Sequence, residues 1–298
     1  MRCTAVAPYP SVPAYGPDMA QFLGPAAIRE IAATLDLRPT KSLGQNFLHD
    51  PNTIRKIVRV AGVGAGDVVL EVGPGLGSLT LGLLHAGARV VAVEVDARLA
   101  RALPETIGAR APEASDRLRV LTADALSLTS LPEAPTALVA NLPYNVSVPV
   151  LLTLLERFPS LQRGLVLVQS EVAERLAAQP GSPAYGVPSV KAAWYAEVHR
   201  AGPISRQVFW PVPRVDSGLV SFRRRPSPTS ALRDQVFAVI DAAFATRRKG
   251  LRAALAGWAG SPSAAEAILL AAGIDPLTRG EQLGITEYAR IAAAGSAP

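Results

Sequence analysis

Five short runs of nearly uninterrupted apolar residues, VVLEVG (68–73), RVVAVEV (89–95), LRVLTAD (118–124), ALVANLP (137–143) and GLVLVQS (164–170), recur along this chain with helix-like stretches between them. A strand that meets water on one face alternates apolar and polar residues, whereas a strand covered on both faces need not. The runs therefore predict a parallel sheet with helices on both sides, a doubly wound α/β arrangement. Residues 194–202 and 217–225 read as two further strands that complete a seven-stranded sheet, with an antiparallel edge among them.

Flanking signals predict how the rest of the chain is organised. AAIREIAATLDL (26–37) has apolar residues at helical spacing and stops before Pro39, and KSLGQNFLHD (41–50) reads as a polar loop. Asp50 followed by Pro51 is a helix start, with Ile54, Ile57, Val58 and Ala61 on the apolar face. RRRPSPTS (223–230), charged and proline-containing, reads as a linker, and only helical patterns follow it: LRDQVFAVIDAAFATR, KGLRAALAGWA, SAAEAILLAAG and ITEYARIAAA. The expected division is a disordered tail at 1–21, a large α/β domain at 22–227 and a small all-α domain at 228–298. The first seventeen residues hold four prolines and lack both a basic start and an apolar stretch, so they do not read as a signal peptide, and Met19 is a candidate start.

Composition narrows the class. With 49% hydrophobic and 18% charged residues the chain is globular, and no apolar stretch is long enough to span a membrane. Cys3 is the sole cysteine, so neither an internal disulfide nor a zinc cluster can form, which fits a reducing, cytoplasmic location. The net charge of +6 is unevenly spread: residues 200–260 hold eleven Lys or Arg against Asp216, Asp234 and Asp241, giving +8, while the remainder sums to −2. Such crowding suits a polyanionic partner, RNA or DNA. The three histidines, His49, His85 and His199, are too scattered for a metal site or a triad, and His85 and His199 are expected to be structural.

Glu71-Val72-Gly73-Pro74-Gly75-Leu76-Gly77 joins the first run to the helix SLTLGLLHAG. Glycines there permit a sharp strand-to-helix turn and close approach of a ligand. A dinucleotide fingerprint would need glycine at position 78, which is Ser, so a nicotinamide-dependent oxidoreductase is the weakest of the possible readings; a purely structural turn is another. Glu94 ends the second run, where it could accept from both hydroxyls of a ribose, and Asp124 ends the third, where it could accept from an adenine amine. With Asn141 on the fourth, polar groups line one edge of the sheet, the edge at which ligands of such sheets bind. A nucleoside without phosphates would be satisfied there, and S-adenosylmethionine is the candidate.

Asn141-Leu142-Pro143-Tyr144 suits amine methylation. An exocyclic adenine amine is a poor nucleophile because its lone pair is delocalised into the ring. The Asn141 amide oxygen and the Leu142 carbonyl could accept its two N–H groups, Tyr144 could hold the base flat, and Pro143 would stiffen the turn. The same four residues also make an ordinary strand-end turn.

Five segments, KSLGQNFLHD, LEVGPGLGSLT, VANLPYN, FWPVPRVDSGLV and AFATRRKGLRAAL, occur in an order and spacing that closely resemble the bacterial small-subunit ribosomal RNA adenine dimethyltransferases, over roughly residues 22–295. The resemblance implies a Rossmann-like, seven-stranded S-adenosylmethionine-dependent methyltransferase sheet and no metal. The implied substrate is two adjacent adenosines in a hairpin loop near the 3′ end of the small-subunit rRNA, each dimethylated on its amine, in a monomeric enzyme partnered with the small ribosomal subunit. It further implies that Asn46 and Leu48 cover the cofactor, that Gly73 contacts its amino-acid end, Glu94 its ribose and Asp124 its adenine, and that Asn141 touches cofactor and target. Phe209 would stack on the base opposite Tyr144, its alternative being core packing at a strand end, and Arg247, Arg248, Lys249 and Arg252 would form a basic helical segment facing RNA. Two related readings stay open: the large-subunit rRNA methyltransferase that confers macrolide resistance, and a non-catalytic assembly factor on the same fold. Many amino methyltransferases carry a second proline where this chain has Leu142, and the altered turn would leave room for an amine that already bears one methyl. Leu142→Pro is therefore expected to keep monomethylation and lose dimethylation; equal loss of both in a product analysis would sink that idea.

Overall fold

The computed structural model describes residues 22–38, 45–226 and 233–296. The expected tail with Cys3 and Met19, the start of the 41–50 segment and half of the expected linker (residues 227–230) lie outside the described residues. The strands are β1 (Phe47–Leu48), β2 (Val68–Val72), β3 (Arg89–Glu94), β4 (Leu118–Thr122), β5 (Ala137–Asn141), β6 (Arg163–Gln169), β7 (Ala196–Ile204), β8 (Phe209–Trp210) and β9 (Ser217–Arg224). The helices are α1 (Pro25–Thr34), α2 (Pro51–Ala61), α3 (Ser78–His85), α4 (Ala97–Arg110), α5 (Ser147–Arg157), α6 (Ser170–Leu176), α7 (Val187–Tyr195), α8 (Arg233–Ala245), α9 (Leu251–Ala254), α10 (Ala256–Ala259), α11 (Pro262–Ala271) and α12 (Ile285–Gly295).

Seven strands form one mixed sheet in the order β4-β3-β2-β5-β6-β9-β7. β4, β3, β2, β5 and β6 run parallel, with Val69 opposite Val90 on one side and Ala137 on the other. Every residue of β2 is buried, as expected of a strand covered on both faces. The strand order reverses between β2 and β5, so a crevice opens at the carboxyl ends of these two strands. The antiparallel strand is β9, and it lies one place in from the edge, not at it. Ser170 N, just past β6, donates to Asp216 O, just before β9, and Arg225 N, just past β9, donates to Tyr195 O, just before β7. These end-to-start pairs require β9 to oppose both neighbours.

The expected polar loop is in part a strand. Phe47 and Leu48 are buried and pair antiparallel with Trp210 and Phe209 in a separate two-stranded sheet. Two residues are too few for periodicity to reveal a strand; a partner more than a hundred and fifty residues away creates it. Asp50 caps α2 as expected, its Oδ2 accepting from Thr53 N at 2.8 Å and from Thr53 Oγ1 at 2.6 Å.

By its contacts the chain divides into two compact units, residues 1–173 with 200–222 and residues 174–199 with 223–298. In the second unit, α8 buries Val236, Val239, Ile240 and Ala243, and the fully buried Tyr288 donates its hydroxyl to Gly280 O at 2.8 Å. Tyr185 donates likewise to Leu283 O at 2.8 Å, so both buried phenols are satisfied by backbone. The basic residues expected on a helix occupy a different setting: Arg247, Arg248 and Lys249 form a turn after α8, and only Arg252 is helical, in α9.

Close packing in the first unit yields a stability prediction. A Cβ at Gly164 of β6 would stand 2.3 Å from the Phe222 ring and 2.5 Å from Leu138 O, which is backbone and cannot yield. Gly164→Ala should cost about 3 kcal/mol and lower the thermal midpoint by roughly 6 to 12 °C, read by circular dichroism; an unchanged midpoint would show that the sheet relaxes freely there.

Candidate active site

At the carboxyl edge of the sheet lies a cavity lined by Gln45 to Leu48, Glu71 to Leu76, Ser78, Glu94, Asp124, Asn141, Pro143 and neighbouring apolar residues. All six residues expected to hold the cofactor, Asn46, Leu48, Gly73, Glu94, Asp124 and Asn141, line this one space. They come from four strand ends and from the 46–48 segment that includes β1, and the crossovers of the sheet bring them together.

The glycine turn after β2 has Gly73, Gly75 and Gly77 at φ values of 68°, 58° and 95°, a region that disfavours side chains. At Gly75 space is also decisive: a Cβ would lie 2.8 Å from the Phe47 ring. Gly73 N donates to Val93 O at 2.9 Å, which holds the turn against β3.

Glu94 is buried at the end of β3, with Oε2 accepting from Gly75 N at 3.1 Å and Oε1 from Asp96 N at 3.0 Å. Burial pushes its carboxyl above the ordinary range, and backbone N–H groups of Asp96, Gly75 and Val95 oppose the shift. A carboxylate has about four lone-pair sites, so capacity remains beyond these backbone donors for a ligand hydroxyl. Asp124 is exposed at the cavity; its Oδ1 accepts from Leu126 N at 2.9 Å, leaving Oδ2 without a partner among the described residues.

Asn141, the last residue of β5, has a divided amide. Its Nδ2 donates to Asn46 O at 3.0 Å, while Oδ1 is buried and has no hydrogen-bond partner. Because a carbonyl can only accept, this contact assigns the nitrogen to the loop side and leaves the oxygen as the unpartnered acceptor. The 45–48 segment is held a second time by Ser78 Oγ, which donates to Leu48 O at 2.6 Å.

The other three residues expected to act on the base do not line the cavity. Leu142 is buried, and its N–H donates to Leu167 O at 3.1 Å, extending the β5–β6 ladder. Leu142→Pro would delete that donor as well as alter the turn, so Leu142→Ala is the cleaner variant for separating one methyl from two. Tyr144 is half-buried beside the core, its hydroxyl 2.5 Å from Ser217 Oγ. Phe209 is wholly enclosed in β8 opposite Leu48, so in this structure its ring is core packing that backs the cavity wall.

Glu71 was not singled out by the sequence reading, although an acid in the middle of an apolar strand is itself a signal. It lines the cavity and is 1% exposed. Burial raises its carboxyl to about 8; a hydrogen bond donated by Thr80 Oγ1 at 2.7 Å opposes this, and the neighbouring Glu94 charge adds to it. Among the described lining residues there are three acids and no Lys, Arg or His. Phosphates would meet no counter-charge there, whereas a cationic nucleoside with hydroxyls, an ammonium and an amine finds acceptors. The donor set therefore fits a sulfonium nucleoside better than a dinucleotide.

The four basic residues belong to the second unit. Arg247 donates to Glu281 Oε2 and to Pro183 O, each at 2.8 Å, and Arg252 pairs with Glu266 at 3.1 Å. Arg248 and Lys249 are exposed and carry no ion pair among the described residues, so these two offer the freer charges.

The raised Glu71 carboxyl makes stability depend on pH with a defined sign. Below about 4.5 both folded and unfolded chains hold its proton, and between about 4.5 and about 8 only the folded chain does, so stability falls as pH rises through that window. The slope is at most about 1.4 kcal/mol per pH unit. Relative to Glu71→Gln, the wild-type thermal midpoint should drop between pH 6 and pH 8 and level off above; parallel curves would show that Glu71 is ionised throughout.

Comparison with known proteins adds to this geometry. Residues 37–294 match a family model described as ribosomal RNA adenine dimethylase. Relatives named ribosomal RNA small subunit methyltransferase A include one from Thermobifida fusca, 66% identical over 275 residues, covering 92% of this chain and 96% of the relative. Another, from Streptomyces griseus, is 67% identical over 274 residues, covering 91% and 94%. Among solved structures, the fold is similar to a dimethyladenosine transferase from Plasmodium falciparum, with a TM-score of 0.71 at 23% identity over 82% of this chain and 95% of that one. It is also similar to the 23S rRNA methyltransferase ErmE, with a TM-score of 0.63 at 26% identity over 84% of this chain and 99% of that one.

Proposed function

The chain belongs to the ribosomal RNA adenine dimethylase family, and from that premise we propose that it dimethylates the amines of two adjacent adenosines in a hairpin loop near the 3′ end of small-subunit (16S) rRNA, using S-adenosylmethionine. The observation that carries the residue-level reading is the orphaned Asn141 Oδ1 at the edge of an acid-lined cavity.

Bound S-adenosylmethionine would supply an electrophilic methyl group, with Glu94 placed for the ribose hydroxyls, Asp124 for the adenine amine, and Gly73, Asn46 and Leu48 around the remainder. The protein's own task is to place and polarise the amine. A buried acceptor without a partner costs about 1–3 kcal/mol, and an N–H of the target amine recovers that cost. Accepting that proton draws the nitrogen lone pair out of the ring and toward the methyl carbon. Asn141 Oδ1 takes one N–H and the Leu142 carbonyl the other, so positive charge that develops on nitrogen meets oxygen lone pairs that are already oriented. The hydrogen bond to Asn46 O keeps the Asn141 amide from turning round. Alignment of amine and methyl carbon at about 3 to 3.5 Å then accounts for much of the rate.

Tyr144 stacks on the flipped adenine, a contact worth about 1–3 kcal/mol. Phe209 contributes from the opposite side only once its cover is displaced. Arg248 and Lys249 meet RNA phosphates, with Arg247 and Arg252 joining when their carboxylate partners are exchanged for phosphate. The work is that of a monomer in the cytoplasm, where small subunits mature.

Two measurements test the reading. Methyl transfer to purified unmethylated small subunits, with modified bases mapped, should place dimethyladenosine at two adjacent positions, whereas transfer to large subunits alone would favour the 23S reading. Asn141→Ala should lower kcat about 10²-fold or more, with a much smaller change in cofactor Kd; near-normal turnover would remove Asn141 from the chemistry.

A further inference from the structure

Tyr144 projects from the turn between β5 and α5, and its hydroxyl meets Ser217 Oγ at 2.5 Å across a sequence separation of 73 residues. Ser217 is the first residue of β9 and is 0% exposed. Its place is fixed independently of Tyr144. The preceding carbonyl, Asp216 O, accepts from Ser170 N at 3.0 Å, and Asp216 Oδ1 accepts from Arg206 N at 2.9 Å, so the sheet on one side and the 205–216 segment on the other hold this point. The following residue, Gly218, packs so tightly that a Cβ there would stand 2.7 Å from Ala173 Cβ. Burial raises the Tyr144 phenol above its ordinary range, so it stays protonated and able to share a hydrogen bond with Ser217.

An aromatic ring turns about two side-chain torsions. Packing against the core restrains the Tyr144 ring along its length, and the contact at the hydroxyl anchors its far end. Tyr144 stands just outside the cavity while its neighbours Asn141 and Pro143 line it, so the plane of the ring sets where a stacked base would lie relative to Asn141 Oδ1. We infer that Ser217 is a positioning residue for methyl transfer, holding the Tyr144 ring in the plane that delivers the target amine to Asn141. The inference rests on the proposed stacking role of Tyr144.

The test is a double-mutant cycle on methyl transfer to unmethylated small subunits. Ser217→Ala and Tyr144→Phe should each lower kcat roughly tenfold, because each removes the same hydrogen bond, and the double variant should lose no more than either single one. KM for the subunits and Kd for S-adenosylmethionine should stay within about twofold of wild type, and Ser217→Thr, which retains the hydroxyl, should recover part of the rate. Losses that multiply in the double variant, or wild-type kcat in Ser217→Ala, overturn the inference. If Ser217→Ala fails to fold, Tyr144→Phe decides: a lowered kcat at an unchanged thermal midpoint supports the pairing, and a wild-type kcat overturns it. Wild-type kcat in Tyr144→Ala is a different failure, since it removes the stacking role itself.

Discussion

The hydrogen bond from Asn141 Nδ2 to Asn46 O is the contact on which the geometry of the site turns. It joins the end of β5 to the segment that leads into β1, two parts of the chain 95 residues apart, and it commits the donor end of the amide. The acceptor end is thereby left buried and without a partner, on a residue that lines the cavity. Few buried polar atoms in a native protein are unsatisfied, and a catalytic role is one of the physical reasons for such an atom. The remaining anchors of the 45–48 segment, the Ser78 hydrogen bond to Leu48 O and the pairing of β1 with β8, keep this arrangement in place when the acceptor is engaged.

Around that contact the cavity is selective through charge and through size. Glu71, Glu94 and Asp124 present carboxyl groups with no opposing cation among the described lining residues, which disfavours phosphates and favours a ligand that carries positive charge and hydrogen-bond donors. Glu71 and Glu94 differ in setting. Glu94 is held by two backbone N–H groups at the mouth of the glycine turn, whereas Glu71 has one hydroxyl donor and complete burial. Desolvation without enough donors keeps Glu71 protonated at neutral pH, so a site with three acids does not carry three full negative charges. The Phe47 ring over Gly75 closes the cavity from the side of the small sheet and explains why no larger residue can stand at the centre of the turn.

Much of this was legible in the chain. Nearly uninterrupted apolar runs located five of the seven main strands and two further stretches located β7 and β9, all to within two residues at each end, because a strand covered on both faces need not alternate apolar and polar residues. Asp50 and Pro51 announced α2, since capping is a local interaction. The six residues expected around the cofactor converge because strand ends in a parallel sheet are neighbours by construction. Harder to read were features that depend on distant partners. β1 exists only through β8, the basic stretch expected to be helical is a turn braced by Glu281 and Pro183, and β9 takes the place beside β6 that chain order would assign to β7. The enclosure of Phe209 and the Tyr144–Ser217 pair are likewise invisible to periodicity, because each is set by a side chain meeting another element.

The sequence by itself determined the fold class, the edge of the sheet at which a ligand would sit, and the residue types available there, because these follow from local composition, capping and strand periodicity. Only the tertiary structure decided which end of the Asn141 amide lacks a partner, which acid keeps its proton, and which aromatic ring is fully enclosed in the core. Those outcomes depend on desolvation and on hydrogen-bond partners contributed from elsewhere in the chain, and neither quantity exists until the strands are in register.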